Sequence, residues 1–139
     1  MEIFDLDIQK NGEIIMKKLI YIASPYTHSN PEVVEENYRK VAEFTARHTA
    51  AGYIILSPIV YGHNLAKHAD MRTDWAFWQD FCFTFLSKCD ELWVLKISGW
   101  NKSSGVAEEI EFAIQKGIPV RYFLMPDNWN LYDLDRLFS

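Results

Sequence analysis

Two β-rich runs in this chain each lead straight into a polar turn and a helix, and that pattern leaves few folds open. The first is Leu19-Ile20-Tyr21-Ile22-Ala23, followed by Ser24-Pro25-Tyr26. The second is Glu91-Leu92-Trp93-Val94-Leu95, followed by Gly99-Trp100-Asn101-Lys102-Ser103-Ser104-Gly105 and then Val106-Ala107-Glu108-Glu109-Ile110. Strands this continuously apolar belong to a sheet that is covered on both faces. A strand that passes through a helix to another such strand makes a parallel, right-handed crossover. In open sheets of this kind, ligands sit at the carboxyl ends of neighbouring strands.

The intervening sequence repeats the alternation. Asn30-Pro31-Glu32 is a helix start, with Asn as cap, Pro at the first position and an acid in the first turn. Val34, Tyr38, Val41, Phe44 and Thr45 follow at helical spacing, and the helix ends near Ala51-Gly52. Tyr53–Leu56 reads as a second strand, Ser57 to Met71 as an irregular loop holding His63 and His68, and Thr73–Lys88 as a helix capped by Thr73. Glu91–Lys96 is a third strand, Ser103–Lys116 a helix stopped by Gly117, and Pro119–Phe123 a fourth strand. The expected fold is therefore α/β: a three-layer parallel sheet of four or five strands with helices on both faces. Residues 1–17 form an extension whose Asn11-Gly12 suits a two-residue hairpin turn, which predicts an edge hairpin. The domain proper spans 18–125, and 126–139 is a C-terminal tail with room for one short helix.

Composition narrows the function classes. A chain of 139 residues, 49% apolar and 15% aromatic, has the material for one ordinary core. A formal charge of −5 with no basic stripe (Lys17-Lys18 is the densest cluster) argues against polymeric nucleic acid as a partner. No apolar run reaches the length of a membrane span, and Asp5 and Asp7 interrupt the leader where a signal peptide would be apolar. Cys82 and Cys89 lie seven residues apart on one predicted helix, about 10 Å at the helical rise, too far for a disulfide. The expectation is a cytoplasmic protein. His63 and His68 have no Cys or carboxylate partners at metal-ligand spacing, so neither a metal nor a cofactor is expected.

On the helix after Ser103, Val106, Ile110, Ala113 and Ile114 make one apolar face. Glu108 and Glu111 point away from it, and Glu109 sits on its border, close to the strand ends. A carboxylate there is partly shielded and is expected to stay ionised beside the helix N-terminus, which suits a nucleophile. From helical phase alone, a solvated first-turn acid reads the same way. Ser103-Ser104-Gly105 offers backbone N–H groups to an anion, although Ser is also simply a good N-cap. Tyr21 lies on the first strand, where its hydroxyl needs a partner if buried, and a carboxylate at the neighbouring strand end would serve. The aromatic belt Trp75, Phe77, Trp78, Phe81, Phe83 and Phe85 is too wide for one core face, which leaves some of it for a ligand stack or a subunit contact.

Taken together, Tyr21-Ile22-Ala23-Ser24-Pro25-Tyr26, Ser57-Pro58-Ile59, Asp74-Trp75-Ala76-Phe77-Trp78, Cys89-Asp90-Glu91-Leu92-Trp93-Val94-Leu95, Gly99-Trp100 and Ser103-Ser104-Gly105-Val106-Ala107-Glu108-Glu109-Ile110 resemble the nucleoside 2-deoxyribosyltransferase superfamily. That superfamily includes the 2′-deoxynucleoside 5′-monophosphate N-glycosidases, and the likeness is closer to a small branch common in bacteria and phages. It runs from about residue 18 to 123. The resemblance implies a flavodoxin-like or Rossmann-like sheet and a homodimer or higher homo-oligomer with sites near subunit contacts. It makes Glu109 the match for the nucleophilic glutamate and Tyr21 the match for the tyrosine that orients it. Ser24, Pro25, Tyr26, Thr27, Ser103 and Gly105 match positions that line the sugar or its 5′-phosphate, and Ser104 between them is a further binding candidate; Trp78 or Tyr26 is the aromatic expected to stack on the base.

One position departs from the family pattern. Counting back from Asp90, the family's aspartate falls on Cys82, which shares the inward helix face with Trp75, Trp78 and Phe85. Asp80 points roughly the other way and is the substitute acid if the helix is shifted, with Asp74 as a nearer neighbour of the inward face. The expected function is cleavage or transfer at the N-glycosidic bond of a 2′-deoxynucleoside or its 5′-monophosphate. The alternative is a nucleotide-binding sensor of the same fold that has lost turnover.

Overall fold

The computed structural model describes residues 6–8 and 14–125, the first two strands by their backbone alone. Those strands, β1 (Leu6–Ile8) and β2 (Ile14–Met16), pair antiparallel with Leu6 opposite Met16. They form a sheet of their own rather than an edge of the main one. The expected Asn11-Gly12 turn and the 126–139 tail lie outside the described residues.

The main sheet has four parallel strands: β3 (Leu19–Ala23), β4 (Ile54–Leu56), β5 (Glu91–Lys96) and β6 (Val120–Leu124), in the spatial order β4-β3-β5-β6. The helices are α1 (Pro31–Ala50), α2 (Pro58–Leu65), α3 (Trp75–Ser87) and α4 (Ser104–Lys116). The order reverses between β3 and β5, so the crevice beyond their carboxyl ends is the expected binding position of a flavodoxin-like sheet. Strand periodicity splits the core into two layers. Ile20, Ile22, Trp93 and Leu95 face α1, where Val41 and Phe44 are fully buried. Tyr21, Ala23, Leu92 and Val94 face α3 and α4, against Cys82, Leu86, Val106 and Ala113. Each such apolar side chain taken out of water contributes about 1.5–3 kcal/mol, which is why both faces of β3 and β5 read as unbroken apolar runs.

The acidic pair that opens β5 holds the other end of the sheet. The Leu19 N–H donates to Asp90 Oδ2 at 2.7 Å, and Glu91 takes Lys18 Nζ and Trp93 Nε1, each at 2.9 Å. At the end of α4, Gly117 adopts φ +73° and stops the helix, as expected.

Two expectations need correction. The stretch after β4 is a helix, not an irregular loop: Ser57 Oγ accepts from the Val60 N–H at 3.2 Å and Pro58 opens α2 at its first position. Ser followed by Pro is a helix-start signal in its own right. The cap residue of α3 is Asp74 rather than Thr73, and its carboxylate is turned to Arg72, with N···O distances of 2.6 and 2.8 Å. Among the described residues no helix is long and apolar enough to cross a membrane.

Candidate active site

At the carboxyl ends of β3 and β5 a cavity of about 220 Å³ opens between α2, α3 and the start of α4. Ser103 Oγ accepts from the Val106 N–H at 3.2 Å, which fixes where α4 begins. Glu109 then falls on the sheet-facing side with Val106 and Ala113, the three buried residues of this helix. Its side chain is only 6% exposed, yet it lines the cavity. Behind it, the fully buried Tyr21 donates its hydroxyl proton to Glu109 Oε2.

The charge state of Glu109 differs from the expectation. Burial pushes its carboxyl up to about 8, Glu108 adds to that, and the Tyr21 hydrogen bond opposes it. The N-terminal partial charge of a helix fades within the first turn, and Glu109 lies beyond it, so desolvation wins. The neighbouring groups hold their protons as well. Burial and Glu109 raise Tyr21 well above the usual phenol range, and the same two influences push the Cys82 thiol up to about 12. At neutral pH burial thus favours the protonated, uncharged forms of these three groups. Glu108 stays outside, held by Trp75 Nε1 at 2.6 Å and Gln79 Nε2 at 2.9 Å.

Ser24, at the tip of β3, is 5% exposed, and its buried Oγ has no hydrogen-bond partner although the residue lines the cavity. A buried hydroxyl without a partner costs stability unless a ligand or water supplies one. Facing it are Ser103, Ser104 and Gly105, with Lys102 beside them. The first-turn N–H groups of a helix have no intrahelical acceptor, so this corner presents donors and a cation to an anion.

Of the residues predicted from sequence, Glu109, Ser24, Tyr26, Trp78, Ser103, Ser104 and Gly105 all line this one cavity, and Tyr21 stands directly behind Glu109. Pro25 is buried behind the wall without lining it. Asp80 is exposed on α3 and lies outside the lining, as helical phase indicated, and Asp74 is taken by Arg72. Cys82 does line the cavity. The aromatic belt divides: Trp75 and Trp78 wall the cavity, while Phe77 and Phe85 remain 45% and 43% exposed. His63, expected in an irregular loop, instead sits on α2 and lines the same cavity as Glu109. Its ring accompanies α2, so the Ser57-Pro58 helix start was the signal that could have found it.

Residues 18–125 match the family model of a domain of unknown function (DUF1937). No curated protein matches the chain.

Proposed function

The chain belongs to the DUF1937 family, and from that premise we propose that it cleaves or transfers at the N-glycosidic bond of a 2′-deoxynucleoside or its 5′-monophosphate. This reading takes up the likeness to nucleoside 2-deoxyribosyltransferases and makes Glu109 the nucleophile. The observation that carries it is one carboxyl: Glu109 sits in the wall of an open cavity, 6% exposed, with one oxygen fixed by Tyr21. In the first step a Glu109 oxygen forms a bond to C1′ as the C1′–N bond breaks and its electron pair leaves with the base. Water or a second base then attacks C1′ and releases Glu109, the double displacement of retaining glycosidases with a base as leaving group. Positive charge builds on the sugar in both transition states. A carboxylate in a dry wall stabilises that charge far more than a solvated one would.

The Ser24, Ser104 and Gly105 corner, with Lys102, supports a 5′-phosphate, whose binding energy is then used at the reacting carbon. Trp78 offers its ring for the base. A cytoplasmic homodimer or higher homo-oligomer belongs to the same proposal. The exposed Phe77 and Phe85 on α3 support the oligomer.

Incubation with each of the four 2′-deoxynucleosides and their 5′-monophosphates, followed by chromatography for free base, tests the reaction. Wild type releases base from at least one, and Glu109→Ala loses on the order of a thousandfold or more. No release from any of them, or a Glu109→Ala variant that matches wild type, overturns the proposal. One observation favours a second reading, a nucleotide-binding sensor: the family's acid position is occupied by Cys82, whose thiol holds its proton to about 12. Thermal stabilisation by a nucleotide without base release, even in Cys82→Asp, selects the sensor.

A further inference from the structure

A departing base needs a proton, and the carboxyl side chains of α3 do not offer one to the cavity. Asp80 and Asp74 are outside its lining, and a thiol that titrates at about 12 is a poor donor to a leaving base. A separate line of titratable groups reaches the same cavity from the opposite wall. Tyr26 and His63 both line it, and the Tyr26 hydroxyl lies 2.8 Å from His63 Nδ1. His63 Nε2 is buried, has no hydrogen-bond partner, and faces Glu35 Oε2 at 3.4 Å. The ring cannot swing away. It stacks on Tyr38 at 3.8 Å and 20° between planes, and Asn64 Nδ2 in turn donates to the Tyr38 hydroxyl at 3.1 Å. The His63 side chain is 10% exposed and Glu35 is 65% exposed, so the line runs from solvent through His63 to a hydroxyl at the cavity.

We infer that Tyr26 is the proton donor to the leaving base, and that His63, held by Glu35, is the proton store behind it. The inference rests on the glycosidic reading above. As the C1′–N bond breaks, the base nitrogen takes the Tyr26 hydroxyl proton and Tyr26 takes the Nδ1 proton of His63. That leaves a neutral imidazole whose Nε2–H faces Glu35. In the second step the attacking water gives a proton to Tyr26, which passes its own to His63 Nδ1, while C1′ leaves Glu109. The proton lent to the base is thereby recovered from water, and the overall change is hydrolysis alone. Tyr26 touches substrate and is the catalytic residue; His63 and Glu35 act through it.

The surrounding charges fit one shared proton. His63 meets Tyr26 from the β3–α1 loop, Glu35 and Tyr38 from α1, and Lys67 just after α2. Burial and Lys67 lower its imidazole below the ordinary value, against the pull of Glu35. Burial and Glu35 raise Tyr26, so the phenol keeps its proton. Over the neutral range the Glu109–His63 pair therefore holds one proton, and the reactive arrangement has that proton on His63. Below the His63 value a second proton binds and protonates Glu109; above about 8 the only proton is lost. The pH profile of kcat/KM is a bell.

Tyr26→Phe, His63→Gln and the exposed Glu35→Gln are compared with wild type on the nucleotide cleaved fastest and on 4-nitrophenyl 2-deoxyriboside 5-phosphate, whose phenolate leaves without protonation. On the nucleotide, Tyr26→Phe and His63→Gln lose about a hundredfold or more in kcat/KM; on the aryl glycoside the losses stay under about tenfold. The nucleotide profile of His63→Gln no longer falls above pH 8 but rises through it, following Glu109 alone. Equal losses on both substrates mark a structural role and overturn the inference. So does a His63→Gln profile that keeps the wild-type bell, or a Glu35→Gln profile whose acid limb stays where the wild type has it. Wild type that releases nothing from either substrate refutes the glycosidic reading itself, a result distinct from the other three.

Discussion

Replacing Glu109 with Gln changes how stability depends on pH, whatever the substrate. The amide keeps the shape and can still accept from Tyr21, so the substitution removes a titration and little else. In the folded chain the carboxyl titrates at about 8, against 4.5 when unfolded. Its folded value is raised, so the stability it contributes is complete below 4.5 and is lost as pH rises towards 8. At about 1.4 kcal/mol per pH unit the full loss is on the order of 5 kcal/mol, with roughly 4 kcal/mol of it between pH 5 and 9. That is a large share of the stability of an ordinary domain. Tyr21, Cys82 and Cys89 titrate above this window and Glu91 below it, while the buried His48 and His63 are common to both proteins and cancel in the difference. Urea unfolding of both proteins at pH 5, 7 and 9 measures that difference. Wild type loses ground to Glu109→Gln from pH 5 to 8 and then runs parallel to it. A difference constant to within about 1 kcal/mol over the range refutes the account, because a buried carboxyl with a raised value cannot produce it.

Tyr21→Phe removes the one interaction that lowers the Glu109 value, so the carboxyl titrates above 8 and Glu109 Oε2 is left without its donor, at a cost of about 1–3 kcal/mol. Carbon-13 NMR of the Glu109 carboxyl follows the first effect and urea unfolding the second; an unmoved titration would mean that burial alone sets the value. Gly62→Ala ordinarily strengthens a helix, but a Cβ there meets the Trp78 ring at 3.0 Å. Overpacking by about 1 kcal/mol or more outweighs the helical gain and displaces a wall of the cavity, which urea unfolding reads as a lower midpoint.

The fold and half of the site were legible because they rest on short-range periodicity. The apolar runs of β3 and β5 announced a sheet covered on both faces, while helical phase put Glu109 only on the border of the α4 apolar face and its likeness to the family nucleophile singled it out; the structure turns it inward with Val106 and Ala113. What escaped depends on contacts between distant segments. His63 reaches the cavity because α2 packs on α1 through Tyr38, a stacking that no local pattern encodes. The helix itself was missed because α2 is only eight residues long, too short for apolar periodicity to show, although its Ser-Pro start is explicit. The ionisation of Glu109 also escaped. Sequence puts the residue near a helix start, which favours charge, whereas the assembled fold buries it, and that burial outweighs the opposing Tyr21 hydrogen bond.

On the glycosidic reading the raised Glu109 carboxyl must give up its proton before it attacks C1′, which is why the reactive arrangement places that proton on His63. A carboxylate held permanently ionised in this wall would be costly to bury without a cationic partner. An uncharged Glu109 in the empty cavity avoids that cost. Its charge becomes favourable only once C1′ turns positive beside it, so the interaction is strongest in the transition state. The same strand serves both walls: Tyr21, within β3, fixes Glu109, and Tyr26, just past the tip of β3, faces His63. Two strand residues, Ile22 and Ala23, and the Ser24-Pro25 turn thus separate Tyr21, which holds Glu109, from Tyr26, which meets His63. On that reading a proton exchanged between Glu109 and His63 leaves the net charge of the site unchanged.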